Sequence, residues 1–183
     1  MTRSSLPPSP DAVPFAGRAF RVRLVRRNDR GGEAHDFEVV ERVPAVAIVA
    51  EVNAKLVVVR QERPAVGRIL DELPAGKVDP GETPEQAACR ELSEETGYVA
   101  QTLMHLLDIY PSPGYTSEVV SFFWAPDPLP GPPHPDAGEE MEVILLTASQ
   151  VRTLLSDQAA APLNGLLHTG ASWWLRRDEG TSA

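Results

Sequence analysis

One turn-and-helix segment, residues 72–97, constrains the fold more than any other part of this 183-residue sequence. Prolines and glycines in its first half predict a long turn, and a helix follows. Thr83 can cap that helix, Gln86 completes the capping pattern, and Pro84 suits the first helical position. Gly97 suits the residue that ends a helix in the left-handed conformation. The segment therefore predicts a turn joined directly to a helix with a defined start and end.

Three glutamates share one side of the predicted helix. Glu91 and Glu95 are four residues apart, so both carboxylates project from one face, with Glu94 one turn from Glu91. Like charges at this spacing cost roughly 0.2–0.5 kcal/mol per pair on an exposed helix. Bound Mg²⁺ would reverse the sign of that interaction, because hard cations favour carboxylate oxygens. The alternative is a solvated acidic face. The opposite, core-facing stripe consists of Ala87, Ala88 and Leu92.

The wider spacing of the segment is more specific than the glutamates alone. It reads Gly76, five residues, Glu82, seven residues, then Arg90-Glu91-Leu92-x-Glu94-Glu95-x-Gly97. This pattern resembles the signature of the Nudix hydrolases, which cleave a nucleoside diphosphate linked to another group and use Mg²⁺ or Mn²⁺. The resemblance implies that the chain is a metal-dependent pyrophosphohydrolase.

The same resemblance implies roles for individual residues. Glu91 and Glu95 are expected to be metal ligands, joined by the backbone carbonyl of Ala75. Glu94 is expected to be an auxiliary ligand or a group that orients water. Gly76 would permit the sharp turn, and Glu82 would brace Arg90, which can also pair with Glu94.

Neighbouring features resemble the ADP-ribose pyrophosphatase branch of that family. Pro113 lies fifteen residues after Tyr98, the last position of the signature, in a Ser-Pro-Gly turn that could shape the wall around the terminal ribose. An ordinary turn is the alternative. Arg63 could pair with a substrate phosphate, or it could be a surface arginine at the end of a strand. The substrate-binding residues expected from the resemblance are Arg63, Glu72, Pro113 and Gly114.

In that branch an acidic loop late in the fold supplies the catalytic base or an extra metal ligand. The candidates here are Glu139, Glu140 and Glu142, and a solubilising charge run is the alternative. Glu142 alternates with its apolar neighbours in what looks like a strand. We therefore expect Glu139 and Glu140 to be the functional pair.

Strands are mixed with helices in no strict βαβ alternation, which predicts an α/β fold. Thr147 with Gln150 predicts one late helix, and residues 164–176 predict the last. We expect a Nudix α/β/α sandwich on a mixed sheet, preceded by a small antiparallel strand layer. The expected organisation is a disordered tail over residues 1–15, the strand layer over 16–43, the hydrolase domain over 44–176 and a tail over 177–183. In this branch such N-terminal strands often swap across a two-fold dimer, so we expect a homodimer.

Charge and cysteine content narrow the class of protein. The formal net charge of −9 argues against a broad electrostatic interaction with DNA or RNA, although a small phosphorylated ligand remains compatible. Cys89 is the only cysteine, so no intrachain disulfide is possible. We find no signal-peptide pattern and no apolar run long enough for a membrane span. We therefore expect a cytoplasmic enzyme with no membrane partner.

Three functions remain open at this point. The leading prediction is hydrolysis of ADP-ribose to AMP and ribose 5-phosphate. The first rival changes the substrate to another nucleoside diphosphate sugar, NADH or a dinucleoside polyphosphate. The second is a module that binds a nucleotide metabolite as a sensor without turning it over.

Overall fold

The computed structural model describes residues 13–131, 141–156 and 162–177. The chain divides into two units, which are residues up to Pro44 with Tyr110–Val119, and Ala45–Ile109 with the residues from Val120 onward. None of the helices in these described ranges is both long and apolar enough to cross a membrane.

The first unit contains a three-stranded antiparallel sheet. Its strands are β1 (Phe15–Ala16), β2 (Arg21–Asn28) and β3 (Ala34–Glu41), in that order across the sheet. Asp29 stabilises the β2–β3 turn, because its side chain accepts hydrogen bonds from two backbone amides of the turn. The strand layer expected from the sequence is confirmed. β1 begins at the last residue of the expected N-terminal tail, and residues 1–12 of that tail lie outside the described residues.

The second unit holds the remaining strands and all the described helices. The strands are β4 (Ala45–Val52), β5 (Lys55–Arg63), β6 (Arg68–Glu72), β7 (Ala75–Lys77), β8 (Tyr98–Val99), β9 (Met104–Ile109), β10 (Val120–Pro126), β11 (Leu129–Pro130) and β12 (Met141–Leu146). The helices are α1 (Pro84–Thr96), α2 (Ala148–Ser156) and α3 (Gly165–Arg176). The main sheet has the order β12-β5-β4-β10-β9, with β6 beside β5 and β7 beside β4. It is mixed, because β4 and β10 run parallel while the other pairs are antiparallel.

The hairpin β4–β5 splits open and admits the segment that leads to α1. The two strands pair only beside their turn, where Glu51 lies opposite Leu56 and Val52 opposite Lys55. Farther along, β7 pairs with β4 and β6 pairs with β5. In addition, the amide of Ile48 donates to the carbonyl of Pro74 at 2.8 Å. The turn that precedes α1 is therefore tied to the central strands.

Apolar side chains on both faces of the sheet form two cores. On one face, residues of α2 and α3 such as Val151 and Trp174 pack with Val49, Val58 and Phe122 of the sheet. On the other face, residues of α1 pack with the alternate sheet positions, which include Val46, Ile48, Val57 and Phe123. Alternation along each strand sends neighbouring residues to opposite faces. The α/β/α sandwich on a mixed sheet is thus confirmed.

Candidate active site

Helix α1 begins and ends at the residues that its sequence indicates. Thr83 has extended backbone angles, and its hydroxyl accepts a hydrogen bond from the amide of Gln86, whose side chain accepts one from the Thr83 amide. Gly97 adopts the left-handed conformation with φ 71°, and its amide donates to the carbonyl of Ser93. These local bonds define which residues lie on each face of the helix.

The two faces of α1 have different environments. Ala87, Ala88 and Leu92 are fully buried in the core beneath the helix. The glutamates are only partly exposed, with 13% of the Glu91 side chain and 30% of the Glu94 side chain accessible. The carboxylates are therefore not a fully solvated acidic face.

Strand β7 brings its backbone against two of these glutamates. A Cβ atom at Gly76 would lie 1.9 Å from both Cδ and Oε1 of Glu91, so the carboxylate occupies the space that any other residue would need. The amide of Ala75 donates to Oε2 of Glu95 at 2.9 Å. The turn and the helix are thus in direct contact through the carboxylates.

Arg90 connects the acidic groups of this site. Its guanidinium donates to Glu82 through two bonds of 3.0 Å, to Oε1 of Glu91 at 2.8 Å and to Oε2 of Glu94 at 2.9 Å. It also donates to the carbonyl of Lys77 at 2.9 Å. The positively charged guanidinium of Arg90 therefore partly neutralises three carboxylates and links them to the segment before the helix.

The acidic groups titrate differently because their surroundings differ. Burial raises the pKa of the Glu91 carboxyl above its ordinary value, and the hydrogen bond from Arg90 only partly opposes this. The hydrogen bond from Arg90 lowers the pKa of Glu82. Glu91 is thus a largely buried carboxylate whose charge Arg90 does not fully compensate.

A second set of contacts surrounds Glu72 at the end of β6. Arg63 donates to both carboxylate oxygens of Glu72, and Gln61 donates to Oε2 at 3.1 Å. The side-chain amide of Asn164, at the start of α3, donates to Oε1 at 2.8 Å. The structure therefore brings Arg63 and Glu72 together. The sequence offers no signal for the contact of Glu72 with Asn164, which depends on the tertiary fold.

The sequence also predicts site residues in a Ser-Pro-Gly turn and in a late acidic segment. Pro113 and Gly114 belong to the first unit, in a turn where the amide of Tyr115 donates to the carbonyl of Ser112. Glu139 and Glu140 lie outside the described residues. Glu142 is on β12, and 65% of its side chain is exposed. Its Oε2 lies 3.7 Å from Nη1 of Arg60. That position agrees with the strand pattern in the sequence.

A further acidic group occurs in the first unit. Asp29, Glu33 and His35 bring one ligand atom each within 4.8 Å of one another, and all three are exposed. Asp29 already bonds the amides of its own turn, and His35 lies 3.2 Å from it. The hydrogen bonds of the β2–β3 turn therefore explain why these three side chains lie close together.

Comparison with known proteins places this site in a family. The chain is 38% identical over 112 residues to a Bacillus subtilis ADP-ribose pyrophosphatase. The aligned region covers 61% of this chain and 60% of that relative. It is 42% identical over 111 residues to an ADP-ribose pyrophosphatase of Mycobacterium tuberculosis, covering 60% of this chain and 54% of that protein. The chain thus spans less than two thirds of the length of these relatives. A solved structure described as an ADP compounds hydrolase matches with a TM-score of 0.80 at 25% identity, over 99% of both chains. The pattern of the NUDIX domain matches residues 41–166, well over half of the sequence, and the chain belongs to the NUDIX domain family.

Proposed function

We propose that this protein hydrolyses the pyrophosphate bond of a small nucleoside diphosphate compound. The expected substrate is ADP-ribose, and the products are AMP and ribose 5-phosphate. The observation that carries the proposal is the set of Glu91, Glu94 and Glu95, held against β7 by Arg90 and the Ala75 amide. The printed names of the two bacterial relatives support the choice of substrate.

The donor set fits Mg²⁺ or Mn²⁺. Glu91 and Glu95, with the backbone carbonyl of Ala75, would hold the metal, and Glu94 would be an auxiliary ligand. All of these donors are oxygens, which hard divalent cations prefer. The burial of Glu91 fits as well, because a nearby cation would favour the ionised form of this carboxyl, which burial disfavours. When bound, the ion supplies Lewis-acid polarisation of the phosphoryl oxygens and lowers the pKa of a bound water.

The residues of the chain have separate tasks in this proposal. Glu82 orients Arg90, which in turn fixes Glu91 and Glu94 relative to each other. As the alternative to acting as an auxiliary ligand, Glu94 orients the attacking water. The water oxygen forms a new bond to phosphorus while the bridging phosphorus–oxygen bond breaks, and a nearby carboxylate accepts the proton. Glu139 and Glu140 are the proposed acceptors.

Substrate binding involves two further groups of residues. Arg63, oriented by Glu72, would face a substrate phosphate, and arginine is suited to this because its planar donors match phosphate oxygens. Pro113 and Gly114 would contact the terminal ribose.

An activity panel tests the proposed function. ADP-ribose, other nucleoside diphosphate sugars, NADH and a dinucleoside polyphosphate would be incubated with the protein, with and without Mg²⁺, and the products separated. We expect AMP and ribose 5-phosphate from ADP-ribose, only with the metal present. Faster hydrolysis of another compound in the panel would show that this compound, and not ADP-ribose, is the preferred substrate. Binding of ADP-ribose without turnover of any compound would indicate a sensor and contradict the enzyme.

We also propose that the protein is a cytoplasmic homodimer. Exposed phenylalanines in the first unit, among them Phe15, Phe20 and Phe37, support a partner surface on that strand layer. The single Cys89 is compatible with a reducing compartment. Cell fractionation that recovered the protein outside the cytoplasm would contradict the location.

A further inference from the structure

Glu72 is the most deeply buried carboxylate of the described residues, and three residues from two elements supply its hydrogen-bond partners. Only 4% of the residue is exposed. Gln61 and Arg63 of β5 donate to it from one strand, and Asn164 donates to it from the start of α3. A buried carboxylate requires such partners, because leaving it without them would carry a large desolvation cost.

Asn164 uses both ends of its side-chain amide. Its oxygen accepts hydrogen bonds from the amides of Leu166 and Leu167, at 2.9 and 3.1 Å, and so caps α3. Its nitrogen donates to Oε1 of Glu72 at 2.8 Å, across 92 positions of sequence. The cap determines the direction of the amide, and the amide then determines where one oxygen of Glu72 lies.

Arg63 shares that same oxygen. Its Nε lies 3.1 Å from Oε1 and 3.0 Å from Oε2 of Glu72, so any rotation of the carboxylate changes the direction of the guanidinium. Helix α3 also approaches the next residue of the chain closely, because a Cβ atom at Gly170 would lie 2.5 Å from Cδ1 of Leu73. The start and the middle of α3 therefore both contact the segment that leads to Ala75.

We propose that Asn164 is a positioning residue for substrate binding, which holds Glu72 so that Arg63 points toward the substrate phosphates. This inference rests on the proposed function, in which Arg63 and Glu72 form part of the substrate site. Asn164 itself has no contact with the reacting atoms in this proposal. Its effect is on the affinity for substrate, while the chemical step at α1 is unchanged.

Two substitutions separate positioning from helix capping. Asn164→Ser keeps a good capping residue, but the serine side chain ends where the amide carbon stood and cannot reach Glu72. Asn164→Asp also keeps the cap and places a second carboxylate beside Glu72. We expect KM for the hydrolysed compound to rise roughly threefold to tenfold, because the charge-assisted hydrogen bond to Glu72 is lost. The rise should be larger for Asp than for Ser, because the second carboxylate also repels Glu72. We expect kcat to stay within about twofold of the wild type.

Thr147→Ala is the matched control. Thr147 caps α2, where its hydroxyl accepts from the amide of Gln150, and its side-chain hydrogen bonds are to Gln150 and not to Glu72. The control should lower the melting temperature and leave KM unchanged. Unchanged KM in both Asn164 variants, or an equal rise in the control, would overturn the proposal.

A binding measurement keeps this test independent of turnover. Calorimetric titration with ADP-ribose should show the same loss of affinity in Asn164→Asp, whether or not the wild type is active. If the wild type binds ADP-ribose but hydrolyses nothing, the proposed enzymatic function is contradicted. A lower affinity in Asn164→Asp would still support the positioning role in that case, and an unchanged affinity would contradict it. An active wild type with equal affinity in the variant contradicts the positioning role alone.

Discussion

At the scale of single residues, Gly76 shows why the site depends on the absence of a side chain. The Glu91 carboxylate occupies the position where a Cβ atom of residue 76 would stand. The conflict concerns the end of a flexible side chain, so a larger residue would move Glu91 and leave the backbone in place. Close approach of backbone and ligand group is a common reason for glycine at such a turn.

Gly76→Ala should therefore reduce activity much more than stability. We expect kcat to fall at least roughly a hundredfold, because displacement of a reacting group by about 1 Å has this effect. The melting temperature should change little. Gly165→Ala is the control, since nothing lies within 4 Å of a Cβ at that position. An active Gly76→Ala variant would show that Glu91 is not needed where it stands.

Glu95→Gln tests the charge of a proposed metal ligand. The glutamine oxygen can still accept the hydrogen bond from the Ala75 amide, so the fold should persist. We expect kcat to fall by orders of magnitude, because a neutral amide is a much poorer ligand for a hard cation. Glu85→Gln, in the exposed first turn of the same helix, should keep wild-type turnover. Near-normal turnover in Glu95→Gln would refute the ligand assignment.

At the scale of elements, α1 owes its length to residues at its two ends. The Thr83–Gln86 pair satisfies backbone groups at the start, and the left-handed Gly97 turns the chain away at the end. The carboxylates lie in the last two turns, so the end of the helix also decides where Glu94 and Glu95 are.

Gly97→Ala should destabilise the protein by about 1–2 kcal/mol, since an L-residue with a side chain is strained at φ 71°. Gly97→Asn should cost less, because asparagine tolerates the left-handed region better. Urea unfolding of the three proteins measures the difference. Equal unfolding midpoints for the wild type and the alanine variant would mean that the helix end adopts another conformation.

At the scale of the whole molecule, the strand layer of the first unit presents apolar side chains to solvent. Phe37 is 53% exposed and Phe15 is 50% exposed. We expect light scattering at micromolar concentration to give the mass of a dimer. Phe37→Glu should shift that mass toward the monomer, because it would bury a charge in the partner surface. Val66→Glu, in the second unit, is the control. A monomeric wild type would contradict the dimer.

Local signals in the sequence were enough for the three helices and for the position of the carboxylates along α1. They did not give β7, which lies inside the segment that the sequence predicts as a turn. The capping bonds join residues three apart, and the late helices follow from patterns of similar range. Such interactions involve neighbours in the chain, so a single sequence carries them directly. The spacing of the residues from Gly76 to Gly97 also carries the resemblance to the Nudix hydrolases. That resemblance implies which residues are the expected metal ligands.

Only the tertiary structure decided what lies beside those elements. The pairing of β7 with β4, the contact of Gly76 with Glu91 and the bond from Asn164 to Glu72 join residues that are not close neighbours in the chain. These contacts form because packing on both faces of the sheet fixes where α1 and α3 stand. No local pattern marks Asn164 as more than a helix cap, since its second partner lies 92 residues away.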